Sequence, residues 1–324
     1  MWGGGGNLWD SDLTADPRLH ALELAWPNLN FVRAKAHGTE VAVNVSSKWR
    51  ALERNSSLGA IEHRLALGYG EVVPKSVLEM LNEIRASPGQ VFYDLGSGDG
   101  KVAGVAWALG LRSTGVELVA DRWATSCEAT RRLRRTPARY SQMRAAGTLL
   151  RFVQGSILDY SFCDADVVYA AATLFPRWLI REVGKAARCL KKGATVVILG
   201  SAAGAGRDLR YRHERLFPEE HFAIVKTVTT DTSWSYDDAG TVAVVQRKTS
   251  TPSEEDLAAG RALVQPADAP AGTLCELRCD LPAAACSRRP EAPEPEEGVV
   301  EGPRGRGRGR GGRGGRGGRR RSEL

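Results

Sequence analysis

No stretch of this 324-residue sequence has the roughly 18 consecutive apolar residues that a membrane-spanning helix needs. The first residues, MWGGGG, lack the order of a secretory leader, in which a charged segment precedes an apolar one. The last three residues, SEL, match the peroxisomal signal SKL only loosely. These absences predict a soluble intracellular protein that does not associate with a membrane.

Recognisable motifs for hydrolysis or metal binding are also missing. The sequence contains neither HExxH nor GxSxG, and its five histidines form no cluster. The six cysteines are scattered, so without a leader we expect reduced thiols rather than a disulfide framework. They are Cys127, Cys163, Cys189, Cys275, Cys279 and Cys286. The last three have no fourth cysteine or nearby histidine to complete a zinc site. We therefore expect neither a hydrolase nor a bound metal.

Positive charge is concentrated at one end of the chain. Residues 303–324 hold nine arginines and one acid, which leaves 36 basic and 37 acidic residues elsewhere. Residues 249–302 are rich in Pro, Ala and Glu, a composition that predicts a mostly disordered linker. The Arg/Gly-rich basic tail at 303–324 is expected to be disordered and to bind DNA or RNA, because arginine contacts phosphates and stacks on bases. A solubilising role is the alternative.

Between residues 61 and 248 the pattern predicts an α/β domain. Strands are predicted at 91–94, 113–117, 150–154, 166–171 and 194–199, with helices at 100–109, 120–135 and 176–190. Such alternation predicts a parallel, doubly wound sheet. Two later strands, at 222–230 and 241–247, have no helix between them and are expected to form an antiparallel edge. Residues 1–60 contain LHALELA and are expected to form a small helical lead-in that packs on this domain.

The stretch VFYDLGSGDGKVAGVA, from residue 91 to 106, places three glycines where a strand meets a helix. In an open parallel sheet this turn is the usual nucleotide contact. Its spacing does not fit a phosphate loop and fits a dinucleotide fingerprint poorly. The pattern here has an acid two residues before the first glycine and a second acid at the end of the next strand. This pattern instead resembles that of class I methyltransferases, which have a Rossmann-like sheet and use S-adenosyl-L-methionine. That resemblance implies a cofactor site formed by Asp94, Gly96, Ser97, Gly98, Gly100 and Glu117. A glycine turn that holds no ligand is the alternative.

Flanking motifs narrow the resemblance to one family. Tyr-Gly-Glu at 69–71 precedes the glycine turn, VVYAAATLF at 167–175 follows it, and Thr-Ser-Trp at 232–234 comes before the strand TVAVVQRK. This order resembles the disruptor-of-telomeric-silencing family, the non-SET histone lysine methyltransferases that modify a lysine in the core of histone H3. The resemblance implies a nuclear enzyme whose substrate is histone H3 or the nucleosome. It also assigns roles to Tyr69 and Glu71, which would close over the cofactor, and to Phe175, Trp234 and Tyr69, which would act as catalytic residues around the lysine channel.

Two departures from the family pattern leave other functions open. Ser156 stands after the third strand where the family has an aspartate that contacts adenine, although its hydroxyl can still bond the cofactor. Ala171 and Ala172 stand where the family has paired asparagines. One alternative is therefore a nucleic-acid-binding protein with a degenerate methyltransferase domain. Another is a methyltransferase of a non-histone protein lysine, because GSGDGKV and GVEL also resemble a mitochondrial lysine methyltransferase family. We expect Lys101, next to the last glycine, to be solvated.

Overall fold

Apolar runs alternate with helical segments along the chain. A computed structural model describes residues 22, 25, 26, 70–135, 148–200, 217–232 and 240–279. The strands are β1 (Val91–Leu95), β2 (Arg112–Glu117), β3 (Thr148–Gln154), β4 (Val167–Ala170), β5 (Thr195–Leu199), β6 (Phe222–Thr230), β7 (Thr241–Lys248) and β8 (Leu274–Cys279). The helices are α1 (Pro74–Glu83), α2 (Lys101–Ala108), α3 (Ala120–Arg134), α4 (Arg177–Ala186) and α5 (Glu254–Arg261). The chain divides into two units, Met1–Arg288 and Arg289–Leu324, and every described residue lies in the first.

All eight strands form one sheet in the order β6-β7-β5-β4-β1-β2-β3-β8. Strands β3, β2, β1, β4 and β5 are parallel, whereas β7 pairs antiparallel with β5, and β6 with β7. The predicted α/β doubly wound sheet with antiparallel strands near one edge is therefore confirmed. Strand order reverses between β1 and its neighbours β2 and β4. In such sheets the ligand crevice lies beyond the carboxyl ends of the strands at this reversal.

Helix α2 and strand β1 lie at the centre of the fold. All eight residues of α2 are buried, so this helix contacts protein on every side. Helix α1 begins at Pro74, a favourable first helical residue because it has no N–H to leave unpaired. It packs Val77, Met80 and Leu81 into the same core cluster as α2. Both helices are thus fixed against the strand whose carboxyl end leads into the glycine turn.

Part of the predicted lead-in contributes to this core. Leu22, Ala25 and Trp26 are at most 3% exposed and join the cluster around α2. The Trp26 ring lies over Gly104, where a Cβ atom would come within 2.7 Å of the indole. Most of the lead-in, the tail at 303–324 and the linker beyond residue 279 lie outside the described residues. Where it is described, the lead-in packs directly on the central helix.

The expectation of a disordered segment after residue 248 is wrong for residues 249–279. Helix α5 begins with a capping box, in which Ser253 and Asp256 satisfy each other's backbone N–H groups. Strand β8 pairs antiparallel with β3 and buries Leu277. Arg151 of β3, 8% exposed, bonds Glu276 at 2.9 Å. A short apolar strand suffices here because the open edge of β3 supplies its hydrogen-bonding partner, which composition alone does not indicate.

The expectation of reduced thiols is wrong for four cysteines. Disulfides join Cys127 to Cys275 and Cys163 to Cys189. Their Cα atoms lie 5.6 and 5.2 Å apart, within the range that a disulfide spans. One pair is separated by 148 residues in the chain, so only the fold brings it together. The Cys127–Cys275 bond links α3 to β8, and Cys275 is therefore no zinc ligand.

Neither membrane helices nor metal clusters occur in the described part of the chain. None of its helices combines the length and apolarity that a bilayer crossing requires. No group of three or more His, Cys, Asp or Glu side chains within these ranges could hold a metal ion.

Strand β8 is expected to be part of the stable fold. A chain that ends at residue 272, which keeps α5, should unfold at a lower urea concentration than one that ends at residue 280. The loss should be about 2–5 kcal/mol, because Leu277 and the β3 edge become exposed and Arg151 loses Glu276. Reducing buffer removes any contribution of the disulfide. Equal unfolding midpoints would show that β8 adds nothing to the domain.

Candidate functional site

The glycine turn between β1 and α2 leaves no room for larger side chains. Gly96 and Gly100 have φ angles of 82° and 85°, a left-handed conformation that favours glycine. A Cβ atom on Gly100 would lie 2.6 Å from the ring of Phe152. The amides of Gly96 and Ser97 both donate to the carbonyl of Val116 in β2, at 2.9 and 3.0 Å. The turn is thus held in one conformation at the strand-order reversal.

Glu117, the last residue of β2, extends its carboxylate to this turn. Its two oxygens accept hydrogen bonds from the amides of Gly98 and Val119, each at 2.7 Å. Burial raises the pKa of Glu117, while Arg122 at 3.9 Å and the two amides lower it. A carboxylate offers about four lone-pair sites, so acceptor capacity remains for a polar ligand.

Asp94 is the second buried acid of the site. It is 2% exposed, and burial followed by the charge of Glu117 raises the pKa of Asp94 to about 8. Tyr169 lies opposite Asp94 in the pairing of β1 with β4. Within the described ranges, Asp94 Oδ2, Ser97 Oγ and the Tyr169 hydroxyl are buried without a hydrogen-bonding partner. Because buried polar atoms are rarely left unpaired, this group is suited to a polar ligand.

Lys101 is buried rather than solvated, which corrects the expectation from sequence. It is 8% exposed, and its ammonium group donates to Glu71 Oε2 at 2.8 Å. Glu71 is 6% exposed, so the ion pair is almost fully removed from solvent. A charge buried in this way is tolerated only when it is paired. The pair ties the Tyr-Gly-Glu segment to the first residue of α2, directly after the glycine turn.

Phe175 lies beside the same turn, although it is distant in sequence. A Cβ atom on Gly96 would come within 2.9 Å of Phe175 Cζ, so the ring packs against the glycine backbone. The ring is half-buried and follows a short 3₁₀ helix, Ala172–Leu174, at the carboxyl end of β4. The structure therefore brings Phe175 together with Asp94 and Glu117 at one end of the sheet.

A backbone bridge joins the segments that carry the two flanking motifs. Val72 pairs antiparallel with Thr232, and the amide of Val73 donates to the carbonyl of Asp231 at 2.9 Å. Val72 follows Glu71 directly, and Thr232 comes one residue before Ser233. Two motifs about 160 residues apart therefore belong to chain segments that are bonded to each other. Tyr69, Ser233 and Trp234 themselves lie outside the described residues.

Comparison with known families agrees with this arrangement. The model of the family described as histone methylation protein DOT1 matches residues 54–241, more than half of the chain. The chain belongs to this DOT1 family. The match includes the glycine turn, Glu117, Phe175 and the Val72–Thr232 bridge.

Individual relatives of this DOT1-family chain are more distant. A histone-lysine N-methyltransferase, H3 lysine-79 specific, from Aspergillus fumigatus is 31% identical over 168 residues, which are 49% of this chain and 32% of the relative. The chain thus spans about a third of that protein. TrmN from Thermus thermophilus is 18% identical with a TM-score of 0.41, over 57% of this chain and 51% of its own. Magnesium protoporphyrin IX methyltransferase from Synechocystis PCC 6803, solved with bound SAM, is 14% identical. Its TM-score is 0.38, over 64% of this chain and 100% of its own.

The two departures from the DOT1 pattern lie in the same region. The hydroxyl of Ser156 is buried after β3 and accepts a hydrogen bond from the amide of Leu158 at 3.1 Å. Ser156 thus orders its own loop and keeps its hydroxyl proton for a further bond. Ala171 and Ala172 lie between β4 and Phe175, where they present no polar side chain. The site therefore differs in polarity at two positions while its acids and glycines are retained.

Two residues that contact this turn were not predicted from the sequence, and both left a signal. Trp26 donates its indole N–H to the carbonyl of Asp99 within the glycine turn, at 2.7 Å. A glycine inside an apolar helix, Gly104, indicates close approach by another group, and here that group is Trp26. Lys101 opens a helix that is apolar throughout, so it could be solvated only if one face of that helix were exposed.

The pKa of Asp94 predicts a stability effect that depends on pH. Its folded pKa of about 8 lies above the ordinary 3.8, so between these values the folded protein holds a proton that the unfolded chain releases. Raising the pH through this window therefore lowers stability. Asp94→Asn should remove this loss and stabilise the ligand-free protein at pH 8 by roughly 2–4 kcal/mol, with little effect at pH 4. Urea unfolding at both pH values tests this, and an unchanged difference between them would contradict it.

Proposed function

We propose that this chain is an S-adenosyl-L-methionine-dependent protein lysine methyltransferase whose substrate is a lysine in the core of histone H3. One observation carries the proposal: the ring of Phe175 packs against Gly96. The aromatic residue assigned to the lysine channel thus contacts the turn assigned to the cofactor. Membership of the DOT1 family and the name of the Aspergillus relative support the same reaction and substrate.

The residues at the glycine turn fit this cofactor. S-adenosyl-L-methionine, when bound, supplies an electrophilic methyl group on a sulfonium sulfur. Glu117 would accept the ribose hydroxyls with its free lone pairs, and the left-handed glycines leave the backbone open to close approach. Asp94 Oδ2 and Ser97 Oγ are buried acceptors that lack a partner among the described residues. Ser156 and Glu71 complete the proposed cofactor-binding set.

The chain's own residues would act mainly by positioning the target amine. A lysine reacts only as the neutral amine, and burial in an apolar channel favours loss of its proton by as much as roughly 3–5 pKa units when burial is complete. Phe175 would form one wall of that channel, with Trp234 and Tyr69 assigned to it by the family pattern. Aromatic faces also attract a methylated ammonium group. No separate general base is then required, because orientation and desolvation together prepare the amine.

The buried acids favour an active enzyme over a degenerate binding domain. Asp94 and Glu117 are both at most 4% exposed, and the charge of Glu117 raises the pKa of Asp94. Burying a second acid this close to a carboxylate costs stability, because burial and the neighbouring charge both oppose its ionisation. At pH 8 a domain without a ligand would gain stability by losing Asp94, so the presence of Asp94 beside Glu117 supports cofactor binding.

Substrate identity rests on different residues from cofactor identity. Ala171 and Ala172 remove polar groups next to Phe175, and this observation favours the second candidate, a non-histone protein lysine. We nevertheless favour the nucleosome because the Arg/Gly tail at 303–324 would bind DNA or RNA phosphates and hold the enzyme on chromatin. A nuclear location is part of this proposal.

Replacement of Glu117 tests the cofactor site. In calorimetric titration with S-adenosyl-L-methionine, Glu117→Ala should weaken binding by roughly 2–4 kcal/mol, because two hydrogen bonds to a charged acceptor are lost. Glu79→Ala removes an exposed acid from α1 and is the matched control, with no expected effect. Unchanged affinity in Glu117→Ala would remove this carboxylate from the cofactor site.

Transfer of labelled methyl groups tests the substrate. The full chain should label histone H3 in nucleosomes, whereas label on another protein would replace the substrate and retain the chemistry. Deletion of 303–324 should leave activity on free histone H3 intact and weaken nucleosome binding, most strongly at low salt. Loss of activity on free histone as well would show that the tail is needed by the domain itself.

A further inference from the structure

A basic pocket lies at the end of the sheet opposite the glycine turn. It is formed where β1, β4 and β5 begin and β7 ends, and its volume is about 460 Å³. Its polar lining comes from Arg85, Gln90, Lys191, Lys192, Thr195 and Arg247, together with Asp166. Along β1, Asp94 lies four residues beyond Gln90 of the pocket lining, roughly 13 Å away. The pocket is thus distinct from the methyl transfer site.

Positive charge in this pocket is only partly neutralised. Its one acid, Asp166, bonds the ammonium of Lys191 at 2.5 Å and accepts from the amide of Val91 at 2.9 Å. Within the described ranges, Arg85 and Lys192 line the pocket and form no salt bridge. Arg247 donates to the carbonyl of Gly193 at 3.4 Å and forms no salt bridge with another described residue. Three cations of the pocket lining therefore have no ion-pair partner among the described residues.

Arg85 occupies a position where the backbone favours glycine. Its φ angle is 56°, and it is the one non-glycine residue with a positive φ among those that the structure describes. Arg85 follows Ile84, the C-cap of α1, and the amide of Ala86 donates back to the carbonyl of Leu81 at 2.9 Å. This helix ending normally places glycine at the left-handed position, where any other residue is strained. The guanidinium is thus present despite the local preference.

We propose that this pocket binds the phosphate group of a phosphate-bearing anion. A guanidinium fork, a lysine ammonium and the amide of Gln90 are the donors that phosphate oxygens prefer. A concave volume of 460 Å³ lies in the range of small-molecule sites. The anion is held by Arg85, Lys192 and Arg247, while Lys191 remains paired with Asp166. This site goes beyond methyl transfer and does not depend on it.

Thermal unfolding of the full chain with sodium pyrophosphate, at constant ionic strength set with sodium chloride, tests the proposal. A ligand raises the unfolding temperature only if it prefers the folded state, so pyrophosphate bound by the arginine tail in both states causes no shift. The unfolding temperature should rise with pyrophosphate concentration and give an apparent Kd. Arg85→Gln and Lys192→Gln should each weaken this Kd by roughly threefold to fivefold. Arg181→Gln, an exposed arginine of α4, is the matched control and should leave it unchanged.

A glycine variant separates function from folding. Arg85→Gly relieves the left-handed conformation, so the protein without ligand should be at least as stable as the parent while its apparent Kd for pyrophosphate rises. A short DNA duplex in the same assay identifies the source of the phosphate. A shift with DNA that the Arg85 and Lys192 variants lose assigns the pocket to a nucleic-acid backbone, and a shift with pyrophosphate alone assigns it to a small phosphate compound. The absence of a shift with either, or equal shifts in all variants, would overturn the proposal.

Discussion

The buried pair of Asp94 and Glu117 is the constraint on which the rest of the site depends. Both acids lie near the carboxyl ends of adjacent parallel strands, so the sheet register limits how far apart their carboxyl groups lie. The amides of Gly98 and Val119 donate to the Glu117 carboxylate. The conformation of the glycine turn therefore helps to stabilise the buried charge of Glu117. Three features maintain that conformation: the left-handed glycines, the Phe152 ring packed against Gly100, and the hydrogen bond from the Trp26 indole to the carbonyl of Asp99.

Local sequence patterns predicted most of the sheet, because most of its strands are apolar runs and helices separate several of them. Apolar runs such as Thr195–Leu199 are buried on both faces, and the missing helix between β6 and β7 predicted their antiparallel pairing. The same logic failed after residue 248, where β8 is stable only because β3 has an open edge. Neither the Cys127–Cys275 bond nor the burial of Lys101 could be predicted locally, because their partners lie 148 and 30 residues away.

The site motifs show a similar division between local and distant information. Asp94, the glycines and Glu117 lie within one β-α-β segment, so their order along the chain, with the family resemblance that it carries, predicted a common site. The nearness of Phe175 to Gly96 and the bridge from Val72 to Thr232 depend on the strand order and on pairing across the sheet. Family resemblance identified these residues as relevant, and the fold supplies the physical reason that they lie close together.

Strand β1 has a departure from ordinary stability rules at each end. At its carboxyl end Asp94 is buried next to another acid, and near its amino end Arg85 adopts a conformation that favours glycine. Local preference and fold agree at other positions, as in the capping box of α5 and the proline that begins α1. Departures of this kind are expected at functional or strained sites. The buried Asp94 and the strained Arg85 therefore support the two proposed ligands, the cofactor and the anion, near opposite ends of one strand.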